Sequence, residues 1–150
     1  MASISEILAA ARERAQRMNL PYSGALTPKE AYEILQHAPG ARLVDIRTRA
    51  ELDWVGRIPG AVEVEWVSYP GNQPNRDFDQ QLRHQVDPES LVMFICRSGV
   101  RSHHAATAAT RLGYTESYNV LEGFEGDRDA TGHRGTTGGW RYAGLPSVQS

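Results

Sequence analysis

Apolar and polar positions along the chain follow two rhythms, one at helical spacing and one of short, nearly continuous apolar runs. Residues 3 to 18 set Ile4, Ile7, Leu8, Ala11 and Ala15 on one side of a helix capped by Ser3 or Ser5, and Asn19-Leu20-Pro21 stops it. This segment is expected to pack on the domain behind it; the alternative is a helix that docks a partner. Tyr22 to Leu26 reads as a short strand. Thr27-Pro28-Lys29-Glu30 then opens a helix with a capping residue, a first-turn proline and a glutamate at the third position, running to about His37.

Pro39-Gly40 breaks the chain before a strand at Arg42 to Ile46, a short helical turn from Arg49 to Trp54, and a strand from Ala61 to Val67. Pro70 to Asn75 is expected to be loop and Asp77 to Gln85 a helix. Leu91-Val92-Met93-Phe94-Ile95 is the strongest buried strand, followed by an alanine-rich helix from Ser102 to Leu112 that Gly113 ends. Ser117 to Leu121 is the last strand before a glycine-rich tail, and no internal repeat is visible. Strands alternating with helices pair in parallel, with helices covering both faces of the sheet. In such sheets the site lies beyond the carboxyl ends of the strands. Cys96 stands at that end of the most apolar strand.

The 150 residues, 40% hydrophobic and 23% charged, suit one globular domain. A net charge of -2 leaves no electrostatic footprint for nucleic acid or an anionic membrane. Of the 16 basic residues only Lys29 is lysine, so an anion gripped here is gripped by arginine. The single cysteine excludes an internal disulfide and a cysteine-rich metal cluster, and points to no oxidising compartment. His103 and His104 are adjacent on a helix and face different directions, and no pair of histidines has ligand spacing, so no metal site is expected. The first turns carry Glu6 and Glu13 and lack the apolar core of a signal peptide, and no run approaches the roughly 18 apolar residues of a membrane span. A soluble, cytoplasmic protein is expected.

The chemistry concentrates in Cys96-Arg97-Ser98-Gly99-Val100-Arg101-Ser102. A strand delivers the cysteine, a glycine allows a tight turn and a helix starts at once. Successive amides of such a turn form an anion-binding nest, reinforced by the positive end of the helix. That setting favours the thiolate, the nucleophilic form, without a histidine base. Arg97 and Arg101 add positive charge at the rim and are candidates to hold an anionic substrate with paired hydrogen bonds. Asp45 and Arg47 emerge on the same sheet edge and, with Glu51, are expected to brace the loop from below, because buried charges must be paired.

These residues resemble the rhodanese family. Cys96-Arg97-Ser98-Gly99-Val100-Arg101 is similar to its six-residue active-site loop. Leu43-Val44-Asp45-Ile46-Arg47 with Glu51, then Ile58-Pro59-Gly60-Ala61, resemble its two internal motifs. Val120-Leu121-Glu122-Gly123-Phe124 and Gly139-Trp140-Arg141 with Gly144-Leu145-Pro146 resemble its closing segment. The resemblance spans about residues 22 to 146. It implies a single α/β domain over residues 21–150, built on a five-stranded parallel sheet with helices on both faces, preceded by an extra helical segment, residues 1–20. It further implies a two-step reaction in which Cys96 takes sulfane sulfur from a donor such as thiosulfate, becomes a persulfide and passes the sulfur to cyanide or a thiol, with no cofactor. The six amides of the loop are then expected to stabilise the persulfide.

Arg57 stands where the family often has histidine, in a position that is usually structural. The polar stretch 125–138 is long for a closing turn; a solvated loop is favoured over one that folds across the pocket and brings Arg128, His133 or Arg134 to the donor. Two other functions compete. A persulfide carrier or redox-sensing module would serve one protein partner, with residues 1–20 as the docking helix. A cysteine phosphatase is disfavoured, because four residues rather than five separate Cys96 from Arg101 and Ile95 replaces the usual histidine.

Overall fold

The computed structural model describes residues 3–149, so Met1, Ala2 and Ser150, which fall within the two expected domain ranges, lie outside the described residues. The chain starts with helix α1 (Ile4–Arg17), closed at its front by a reciprocal capping box in which Ser3 and Glu6 satisfy each other's backbone amides. Ile7, Ala11 and Ala15 are its buried stripe, and Arg14 fastens it by donating to the Ala25 carbonyl and to both carboxylate oxygens of Glu30. Strand β1 (Gly24–Leu26) is shorter than the sequence suggests, and Tyr22 is buried outside it. Helix α2 (Pro28–His37) begins at Thr27 with the expected cap and proline.

Strand β2 (Arg42–Asp45), helix α3 (Arg49–Val55) and strand β3 (Val62–Glu63) follow. The alternation from Ala61 to Val67 predicts one strand, and here the structure differs. Val64 and Trp66 still donate amides to the Asp45 and Ile46 carbonyls, but β2 supplies no partner further on. Val67–Ser68 (β4) therefore turns away and pairs antiparallel with Gln73–Pro74 (β5), which lies inside the stretch expected to be loop. Helix α4 (Phe78–Gln85) and strand β6 (Leu91–Ile95) match expectation. Helix α5 (Val100–Arg111) starts two residues before Ser102, and strand β7 (Glu116–Val120) closes the sheet.

The five main strands form one sheet in the order β1-β7-β6-β2-β3, every pair parallel. Alternate residues of each strand serve opposite faces. Leu43, Met93, Ile95 and Tyr118 join Ile7, Ala11 and Ile34 on one face, while Val44, Val92 and Phe94 meet Leu82, Ala105, Ala106 and Ala109 on the other. The alanines let α5 lie close to the sheet. The tail is not merely loop: Phe124 and Trp140 are fully buried, and Val148 exchanges two backbone hydrogen bonds with Arg57. From β2 the chain proceeds to one edge of the sheet, and from β6 toward the other. The crevice where the order reverses opens beside Asp45 and Cys96, the place where open α/β sheets hold ligands.

Candidate active site

Cys96 follows β6 directly, and Gly99, in the left-handed region at φ 101°, caps α5. The amides of Gly99 and Ser102 donate to Sγ at 3.2 and 3.3 Å, and the Ser102 hydroxyl lies 3.3 Å away. The sulfur thus has two amides and a hydroxyl within hydrogen-bond reach, fewer than the six amides the resemblance implies, and Cys96 is only 1% exposed. The amides face inward because the carbonyls are drawn outward: those of Cys96 and Arg97 accept from the Phe124 and Glu125 amides at 2.8 and 2.9 Å. Gly123 permits that approach. Its φ is 63°, and a Cβ there would fall 2.5 Å from the Cys96 oxygen.

Behind the sulfur runs a hydrogen-bonded chain that sequence reading missed. Ser102 Oγ donates to Asn119 Oδ1 at 2.6 Å, and Asn119 Nδ2 donates to the Gly99 carbonyl and to the Tyr22 hydroxyl. The Tyr22 hydroxyl meets His103 Nδ1 at 2.8 Å. Burial pushes the Tyr22 phenol up, with the Asn119 bond opposing it, and burial together with His104 pushes the His103 imidazole down. The signal was present, since Ser117 and Asn119 alternate with the apolar Tyr118 and Val120, which puts both polar side chains on the same face, against α5. The two imidazoles, expected to point apart, meet edge to face at 5.3 Å.

The charged residues form two pairs rather than one brace. Arg47, fully buried, donates Nε and Nη2 to the Asp45 carboxylate and Nη2 to the Gly56 carbonyl, with its guanidinium 4.1 Å over the Phe124 ring. Glu51 does not join them. It holds both terminal nitrogens of Arg101 at 2.8 Å while its carboxylate closes a capping box with Thr48 at the start of α3. Thr48-x-x-Glu51 is the spacing that announces such a box, and it went unread. Burial on its own raises the Glu51 carboxyl, but Arg101 and Thr48 more than reverse this and hold it at about 2. Burial likewise lowers the Arg101 guanidinium, and Glu51 chiefly, with Cys96 and Asp45, brings it back above its ordinary value. Arg101, expected as an anion clamp at the rim, thus has one edge of its guanidinium paired with Glu51.

Arg97 is exposed at the rim, and Ser98 and Val100 follow it along the wall of a cleft of about 680 Å³. Trp54 and Tyr69 stand across from them, their rings edge to face at 5.4 Å. Arg134 completes the wall, so the stretch 125–138 is not simply a solvated loop. It is ordered around Asp129, whose carboxylate accepts from Thr131, His133 and Thr136, and Arg134 Nη1 is anchored on the Gly126 carbonyl at 2.7 Å. Partial burial and the charges of Arg97 and Arg128 push the Arg134 guanidinium down. Arg128 and His133 remain exposed and do not line the cleft. Among the described residues no group of three or more histidines, cysteines and carboxylates is placed to hold a metal, and no helix is long and apolar enough to cross a membrane.

A sequence model described as the rhodanese-like domain matches residues 27–130. The crystal structure of Rv0390 from M. tuberculosis superposes with a TM-score of 0.79 at 44% identity, over 86% of this chain and 99% of that one. An uncharacterized protein of Rickettsia conorii, RC0915, is 36% identical over 115 residues, 75% of this chain and 93% of its own length. The thiosulfate sulfurtransferase GlpE of Actinobacillus succinogenes is 29% identical over 121 residues, 81% of this chain and 86% of its own.

Proposed function

The chain belongs to the rhodanese-like domain family, and on that premise we propose that it is a cytoplasmic sulfurtransferase that carries sulfane sulfur on Cys96. The Cys96 thiolate attacks the outer sulfur of thiosulfate or a related donor. A new S–S bond forms as the donor's S–S bond breaks, and its electron pair leaves with sulfite. Cyanide or a thiolate then takes the outer sulfur, and the electron pair of the Cys96 disulfur bond returns to Sγ. No net oxidant is consumed, and no cofactor has a part in either step.

The observation that carries this reading is the convergence of the Gly99 and Ser102 amides on Sγ. These dipoles, set at the front of α5, stabilise negative charge on sulfur without a base in contact with it. The added sulfur extends the side chain by about 2.05 Å beyond an Sγ that is itself almost fully enclosed. Glu51 with Arg101 ties the loop's last turn to the front of α3.

Incubation with thiosulfate should add one sulfur, about 32 Da, to the peptide bearing Cys96. Cys96→Ser should lose both that mass and thiocyanate formation. Turnover that survives in Cys96→Ser refutes the mechanism.

A second reading, a persulfide carrier serving one protein acceptor, draws support from Met18 and Val100. These exposed apolar side chains share a shallow pocket beside the loop with Leu20 and Leu121. Phosphatase chemistry fits poorly, because the Arg101 charge is already paired with Glu51 and the loop is one residue short.

A further inference from the structure

The cleft above the loop is built for more than an inorganic anion. At about 680 Å³ it falls within the range of roughly 300–1,000 Å³ that accommodates organic ligands of many atoms. Thiosulfate is compact and needs hydrogen-bond donors but no apolar wall. Trp54 and Tyr69 supply such a wall and remain 64% and 59% exposed, an unusual state for two large rings in contact with each other. The positive groups are asymmetrically satisfied. Arg101 is neutralised by Glu51, whereas neither Arg97 nor Arg134 has a carboxylate in hydrogen-bond contact among the described residues. Arg134 reaches the cleft only because the 125–138 stretch is folded around Asp129 and pinned at Gly126.

Resting on the sulfurtransferase reading, we propose that this cleft is the binding site for a carboxylate-bearing organic thiol as sulfur acceptor, with Arg97 and Arg134 taking its carboxylates and Trp54 and Tyr69 covering its apolar or peptide portion. The acceptor's thiolate forms a bond to the outer sulfur of the Cys96 persulfide while the Cys96 disulfur bond breaks, its electron pair staying on Sγ. The products are the organic persulfide and the Cys96 thiolate, so atoms and electrons balance with no further reactant. Arg134 touches the acceptor's far end and not the sulfur, so its contribution belongs to acceptor recognition.

The test uses the full chain, thiosulfate as donor, and two thiol acceptors: reduced glutathione, a tripeptide with two carboxylates, and 2-mercaptoethanol, which has none. In a double-displacement scheme kcat/KM for an acceptor reports only its encounter with the loaded enzyme. The ratio of kcat/KM for glutathione to that for 2-mercaptoethanol should fall about tenfold or more in Arg134→Ala, the scale of one charge-assisted hydrogen bond lost. Arg134→Lys should recover part of it, and Trp54→Ala should lower the ratio about threefold or more. A ratio that stays put in both alanine variants, or a wild-type enzyme that uses the two thiols equally, overturns the inference. Cyanide separates the two claims: a wild-type enzyme that makes no thiocyanate and gains no sulfur refutes the sulfurtransferase reading, whereas normal thiocyanate formation with an unmoved ratio refutes only the acceptor site.

Discussion

Asn119 serves three neighbours at once, accepting from Ser102 and donating to Tyr22 and to the Gly99 carbonyl. It thereby fixes the hydroxyl that touches Sγ and the glycine whose amide points at it. Asn119→Ala leaves the buried Ser102 hydroxyl and Gly99 carbonyl without these partners. A loss of about 1–3 kcal/mol in denaturant unfolding is expected, with sulfur transfer reduced about tenfold. Unchanged kinetics would show that Ser102 holds its place without this support. Gly123 is the other decisive single residue. Alanine there takes on a left-handed backbone and a Cβ 2.5 Å from the Cys96 oxygen, so Gly123→Ala should cost about 2 kcal/mol or more and move the loop. Thiocyanate formation in that variant should drop more than tenfold, and wild-type rates would mean the loop is not held from that side. Both residues were open to inspection in the sequence, yet only Gly123 stood inside a recognisable motif. Asn119 acts through a partner on another element, and one-dimensional patterning marks only that it is polar where its neighbours are not.

At the scale of elements, one carboxylate couples the front of α3 to the front of α5. Glu51 caps α3 through Thr48 and grips Arg101 on the first turn of α5. Its carboxyl sits at about 2 in the folded chain against an ordinary 4.5, so the unfolded chain binds more protons between those values. The stabilisation is complete above about pH 5 and is lost as pH falls toward 2. Its size is roughly 2–3 kcal/mol, given that the pair is mostly shielded from solvent. Glu51→Gln retains the capping geometry but not the charge. Urea unfolding should therefore show the variant weaker by about 2 kcal/mol at pH 7 and the two curves converging near pH 2. Identical stabilities at pH 7 would deny the coupling. The elements also show why a clean alternation misled at Ala61 to Val67: period-2 patterning reports which side a residue faces, not whether a neighbouring strand is still there to pair with. β2 ends at Asp45, and the chain beyond it folds into its own hairpin. Arg134 was named only in the disfavoured alternative for a related reason, because a polar loop ordered by hydrogen bonds to Asp129 has no hydrophobic period to read.

Across the whole molecule, the parallel sheet, its helices on both faces and the cysteine at the carboxyl end of the most apolar strand were legible from patterning, since each follows from where apolar side chains must go, whereas the strand order that puts Cys96 at the reversal was not. The N-terminal helix is part of that same burial. Ile7 and Ala11 enter the cluster that contains Leu26, Ile34 and Tyr118, and Arg14 bridges to Ala25 and Glu30. Removal of residues 1–18 should cost about 3–5 kcal/mol from uncovered apolar surface and lost hydrogen bonds. A truncated chain that melts at the same temperature as the intact one would contradict this. The near-complete enclosure of Cys96 has a consequence for what can reach it. A bulky aromatic disulfide reagent should therefore meet Cys96 far more slowly in the folded chain than in urea, so the enclosure itself selects by size what the thiol encounters.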